Sequence, residues 1–135
     1  MRRFALLVGL GQLLVGVCGA LAAPPANERG RYLVEQVGMC ADCHSPRGPT
    51  GAVVTGMELA GAPIGFAPKH PMPAWAEHAP RLAGLPPGYD EVSLARFLQT
   101  GTRPDGTMAR PPMPSYRLER GDADAVAAYL KSLAP

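Results

Sequence analysis

The clearest periodicity in the chain lies at its carboxy-terminal end. Ala123, Val126, Ala127, Leu130 and Leu133 recur at i, i+3, i+4, i+7 spacing with Tyr129 beside them, which predicts a helix over residues 120–133. Glu119 and Asp122 stand at its start, where the helix dipole is positive. A second helix is predicted over residues 91–99. Asp90 is its N-cap, Gly101 sits where a helix-ending glycine belongs, and Val92, Ala95, Phe97 and Leu98 supply its buried side. A third is predicted upstream over residues 28–37, capped by Asn27. Its apolar positions are Tyr32, Leu33 and Val37, and Gly30 lacks a side chain where a partner helix can approach.

Residues 45–79 break this pattern. They hold many of the prolines and glycines and few apolar residues at helical spacing, so they read as a long loop. Val53-Val54 and Ile64-Gly65-Phe66 leave room there for a short hairpin around residues 57–61. Trp75, the one tryptophan, is expected to fill core space or to face a bound group with its indole N–H. Farther on, Pro104-Asp105-Gly106 is a turn, and Arg110-Pro111-Pro112-Met113-Pro114 is a stiff segment, because each proline fixes its own φ and restrains the residue before it.

The amino-terminal end has a different character. Met1-Arg2-Arg3 precedes an almost wholly apolar run from Phe4 to Val17, and Ala20-Leu21-Ala22 resembles a small-residue cleavage site. This reads as a secretory signal peptide over residues 1–22, leaving 23–135 as one small domain placed in the periplasm, with an uncleaved anchor as the alternative. Cys18 has bulky Val17 before it, which speaks against lipidation. Without Arg2 and Arg3, basic and acidic side chains are equal in number. The net charge of +2 therefore does not mark a nucleic-acid-binding surface, and membrane contact is expected to be peripheral or absent.

The chemistry lies in Cys40-Ala41-Asp42-Cys43-His44. Cys-x-x-Cys-His is the attachment signature of c-type haem. Each thiol adds across one porphyrin vinyl group, and the following imidazole supplies an axial ligand to the iron. A zinc site normally needs four Cys or His ligands, often from a second close pair, but Cys18 falls in the predicted signal segment and His70 and His78 are not tightly spaced. A thioredoxin-like pair needs a βαβ context, which the chain does not show. One such motif predicts one covalently attached haem c, with Cys40 and Cys43 holding it and His44 on the iron.

The second axial position decides the function. A methionine thioether there closes the iron and favours electron carriage, whereas an open position permits ligand binding or peroxidase chemistry. Met57, Met72, Met108 and Met113 follow the motif. Met113 is the leading candidate because prolines on both sides reduce the entropic cost of holding a weak ligand. Met108 comes next, and Met72, His70 and His78 are outsiders.

With these residues in view, the chain resembles a class I c-type cytochrome. The resemblance rests on Cys40-Ala-Asp-Cys43-His44 after an amino-terminal helix, Pro80-x-Leu82-x-Gly84, Phe97-Leu98-Gln99-Thr100-Gly101, Met113-Pro114, and Asp124-Ala-Val-Ala-Ala-Tyr129-Leu130. It implies an all-α fold around one haem, in which the first and last helices cross with Gly30 and Tyr129 at the contact. It also implies that the Pro80 carbonyl accepts the His44 Nδ1 hydrogen and that Leu82, Leu85, Phe97 and Tyr116 line the pocket. Small family members have a much shorter connection where this chain has residues 45–79. The longer segment is similar to haem domains in cytochrome subunits of membrane-bound dehydrogenases, which implies a dehydrogenase donor and an oxidase or cytochrome acceptor as partners.

The expected function is transfer of single electrons between such redox proteins, without catalytic residues. Two rivals stand beside it. One is a haem enzyme or gas-binding protein with an open distal side, and the other is a fixed cytochrome subunit of a dehydrogenase complex.

Overall fold

A computed structural model describes residues 25–134, so the predicted signal segment and Cys18 lie outside the described residues. Helix α1 (Ala26–Tyr32) passes directly into a π-helical turn over Leu33–Val37, closed by a Gly38 N–H bond to the Leu33 carbonyl at 2.7 Å. The cap differs from expectation. Pro25 takes that position, its carbonyl accepting from Arg29 N–H at 3.0 Å, so Asn27 falls inside the first turn. The apolar face differs too. Bonds to i−5 break the match that would set Val37 beneath Leu33, so the buried pair is Leu33 and Val34, while Tyr32 and Val37 are exposed.

Met39 then adopts a left-handed φ of 45°, unusual for a residue with a side chain. This reverses the chain into the short helix α2 (Ala41–His44). The long segment that follows is mostly irregular. Its only ladder joins β1 (Ala62–Pro63) to β2 (His78–Ala79) in antiparallel register, Ala62 opposite Ala79 and Pro63 opposite His78. The predicted hairpin is therefore corrected. Val53 instead bridges back to Arg47, and Ile64 N–H continues the ladder to the Glu77 carbonyl at 2.9 Å. Trp75 enters neither the core nor the cavity described below; it packs edge-to-face on Phe66, ring centroids 5.6 Å apart.

Helix α3 (Glu91–Thr100) starts at a capping box. Asp90 Oδ1 accepts from Ser93 N–H at 2.7 Å, and Ser93 Oγ accepts from Asp90 N–H at 2.9 Å. Gly101 ends the helix in the left-handed region at φ 73°. Leu94, Ala95 and Leu98 are its buried residues, whereas Val92 is 77% exposed, contrary to its predicted place on the apolar side. Helix α4 (Arg120–Ser132) buries the predicted stripe through Leu130 and adds Ala125. It packs on α1 and α3, and the core is built from Leu33, Val34, Leu94, Leu98, Val126 and Leu130 with Leu59 and Leu82 from the loops.

The α1–α4 crossing leaves no room for a side chain at Gly30. A β-carbon there would lie 2.6 Å from Tyr129 Cβ and would collide with the Ala125 carbonyl oxygen. Two polar ties flank this point. Tyr129 donates to Glu35 Oε1 at 2.7 Å, and Arg29 donates through Nε and Nη2 to both Asp122 oxygens at 2.8 Å. The Arg29 guanidinium holds the Asp122 carboxyl below its usual value of 3.8. A depressed folded value means the contribution is complete above the unfolded pKa and is lost as pH falls through the folded one. Asp122→Asn is accordingly expected to lower the melting temperature slightly at neutral pH in low salt. The difference from wild type should shrink below pH 3.8 and in high salt, because the pair is partly exposed. Thermal melts across pH and ionic strength check this.

Candidate cofactor site

Between α2, α3 and the residue 103–116 loop lies a cavity of about 820 Å³ lined mainly by apolar side chains. That volume is in the usual range for cofactor sites. Cys40, Cys43 and His44 line it together, because the tight turn of α2 brings both sulfurs and the imidazole to one wall. Both thiols are free and half-buried. Burial pushes the Cys40 thiol up to about 11, so at neutral pH it is a neutral S–H group.

His44 is buried, and its Nδ1 lies 2.7 Å from the Pro80 carbonyl oxygen. A carbonyl can only accept, so Nδ1 carries the hydrogen and Nε2 keeps its lone pair. Burial lowers the imidazole pKa, the Pro80 bond acting in the opposite sense, which favours the neutral form that can bind a metal. The Pro80 contact survives the long segment because that segment folds out and returns. Gly61 N–H donates to the His44 carbonyl at 2.7 Å, and the β1–β2 ladder starting at Ala62 ends at Ala79 beside Pro80. Gly61 adopts φ 86°, and a β-carbon there would meet Arg81 N at 2.8 Å, so a glycine is required at this closure. Nothing in the sequence singles it out among sixteen glycines.

Met113 also lines the cavity, carried by the stiff proline segment. Met108 does not. It is 53% exposed, and its sulfur accepts from Thr102 Oγ1 at 3.6 Å. Met57, Met72 and His70 are likewise absent from the lining, whereas His78 contributes to it. Val37 and Met39 line the same space and are 52% and 56% exposed, apolar surface that a bound group would cover. A buried neutral imidazole, two thiols beside it, and a thioether in one apolar cavity form a donor set that fits a covalently attached haem.

The Cytochrome c family model matches residues 28–134, which spans the motif, the cavity, most of α1 and all of α2, α3 and α4. The chain belongs to the cytochrome c family. Among curated proteins it is 34% identical to a diheme cytochrome c-type protein of Cereibacter sphaeroides, over 93% of this chain and 43% of that one. It is 32% identical to the fructose dehydrogenase cytochrome subunit of Gluconobacter japonicus, over 78% of this chain and 21% of that one. The chain thus spans less than half the length of either relative. Membership in this family implies covalently bound haem c and haem-based electron transfer.

For this class I cytochrome the pocket residues implied by resemblance are placed as follows. Leu82, Phe97 and Tyr116 line the cavity, the Tyr116 hydroxyl donating to the Gly38 carbonyl at 2.9 Å. Leu85 does not line it. Its turn, with φ 74° and an N–H bond to the Leu82 carbonyl, directs the side chain against the core cluster instead. The cavity wall also includes Arg103 and Arg110, which the sequence did not distinguish from other surface arginines. No helix among the described residues is long and apolar enough to cross a membrane.

Proposed function

We propose that this cytochrome is exported to the periplasm after removal of residues 1–22. There it carries one electron at a time on a single haem c, thioether-linked to Cys40 and Cys43 and ligated by His44 and Met113. When bound, the haem supplies an Fe(II)/Fe(III) couple. The chain's own part is to fix the imidazole through the Pro80 carbonyl, to bring a thioether to the same cavity, and to exclude water with Leu82, Phe97 and Leu98. The observation that carries the reading is that His44 and Met113 share one apolar cavity, from which Met57, Met72, Met108 and His70 are absent and where His78 is the one other candidate on the wall. A neutral sulfur ligand in apolar surroundings disfavours the more highly charged oxidised iron and raises the potential.

The proposed donor is a dehydrogenase and the proposed acceptor a respiratory oxidase or another cytochrome. Similarity to a dehydrogenase cytochrome subunit supports a second form of the same reading, in which the domain works as a fixed subunit. The test is expression in a host that matures cytochromes c. The expected product begins at Ala23 and has the mass of one haem added. Its spectrum should be low-spin with the near-infrared sulfur-to-iron charge-transfer band, and the reduced form should resist carbon monoxide. High-spin iron or ready uptake of carbon monoxide would sink the carrier reading in favour of an open-site haem protein.

A further inference from the structure

The long segment touches both sides of the cavity. On the histidine side, Gly61 N–H holds the His44 carbonyl at 2.7 Å and the β1–β2 ladder leads to Pro80, whose carbonyl orients the imidazole. On the methionine side, three hydrogen bonds join residues 74–76 to residues 110–111. Arg110 Nε donates to the Ala74 carbonyl at 3.0 Å, Arg110 Nη2 donates to the Trp75 carbonyl at 2.7 Å, and Ala76 N–H donates to the Pro111 carbonyl at 2.7 Å. Within the segment, Trp75 is packed on Phe66, and Ile64 N–H is bonded to the Glu77 carbonyl, so the strip receiving these bonds is itself tied to the ladder.

We infer that Arg110 is a positioning residue for Met113, pinning the methionine-bearing loop to the long segment so that one brace holds both proposed axial ligands. The inference rests on the His/Met reading above. Two features favour the guanidinium fork over simple charge. It bridges two successive carbonyls, which a single ammonium group cannot do in the same geometry. Between the flanking ties at Ala109, whose N–H donates to the Gly101 carbonyl at 3.0 Å, and at Tyr116, the remaining backbone bond of the Met113 stretch is Met113 N–H to the Arg110 carbonyl at 3.1 Å, within the same loop. The pin acts on the methionine side only, because the histidine side is held by Gly61 and Pro80.

The test measures how readily added imidazole displaces the methionine from the ferric holoprotein, followed by loss of the charge-transfer band. Arg110→Ala is expected to bind imidazole about tenfold more tightly, the size of effect that losing the net contribution of such hydrogen bonds produces. Arg110→Lys should fall between it and wild type. The helical unfolding midpoint should stay close to wild type in both variants, since the side chain is exposed and outside the core. Wild-type imidazole affinity in Arg110→Ala would overturn the inference while leaving His/Met ligation standing. Full rescue by Arg110→Lys would overturn it in favour of a charge effect, and a fall in global stability proportional to the gain in imidazole binding would overturn it in favour of general loosening. Absence of the band in the wild type would overturn the ligation reading and the inference together.

Discussion

Met113→Ala is expected to abolish the sulfur-to-iron charge-transfer band, open the iron to carbon monoxide, and lower the reduction potential markedly, all without releasing the haem. Attachment would be unaffected because it depends on the thiols of Cys40, the N-cap of α2, and Cys43 within it, which the substitution leaves in place. The potential should fall because a neutral, soft thioether stabilises Fe(II) over Fe(III), and axial ligands tune haem potentials over a range of ≈0.8 V. Met108→Ala is the informative companion. Its side chain is half-exposed, bonded to Thr102 and absent from the cavity lining, so the band and potential should stay as in wild type. Potentiometry with near-infrared spectra of both variants checks the pair. Loss of the band in Met108→Ala alone would mean that the loop rearranges around the haem and that Met108 is the ligand.

How much could be read in advance depended on whether a feature is set by neighbours in sequence or by neighbours in space. Helices α3 and α4 were legible because Asp90, Gly101 and the Ala123-to-Leu130 stripe act within one or two turns of themselves. The Cys40-to-His44 turn was legible for the same reason, since its chemistry demands one fixed spacing. Where tertiary contacts decided, the pattern misled. Val92 has the right residue type for a buried side, but Leu94, Ala95 and Leu98 form the buried side of α3 and leave Val92 exposed. The π turn after Tyr32 has no signal in Leu33-Val34-Glu35-Gln36-Val37, because the i−5 bonds arise from the closure at Gly38, where a β-carbon would press on Cys40 Sγ at 3.2 Å and on the Tyr116 hydroxyl at 3.4 Å. The ladder register in the long segment was set by Gly61 closing on Ala79 and Arg81, some twenty residues away, and short apolar pairs such as Val53-Val54 cannot report that.

The Pro80 bond shows the two kinds of information acting together. The family resemblance implied it, although the connection leading to Pro80 is much longer here than in small family members. The structure keeps it because the extra residues leave and re-enter through adjacent positions, Ala62 pairing with Ala79. An insertion that returns to its starting point adds little constraint on what lies outside it. It is then free to contact the methionine loop.

Gly30→Ala is expected to destabilise the holoprotein by about 2 kcal/mol, although alanine is the better helix former by about 1 kcal/mol. The sign follows from what the new methyl group meets. Its carbon would stand 2.6 Å from Tyr129 Cβ, where carbon atoms rest at about 3.5–4.0 Å, and it would also press on the Ala125 carbonyl oxygen. Neither obstacle can swing aside, because one is backbone and the other is the first atom of a side chain, so α1 and α4 must part by roughly 1 Å. Parting them also stretches the Arg29–Asp122 and Tyr129–Glu35 ties on either side. Gly121→Ala makes the same chemical change in the first turn of α4 with nothing within 4 Å of the new carbon, and it should be neutral or slightly stabilising. Guanidinium unfolding of the two variants separates helix propensity from packing. Equal and favourable shifts would mean that the helices do not cross at Gly30, whereas opposite signs are what a glycine-dependent contact requires.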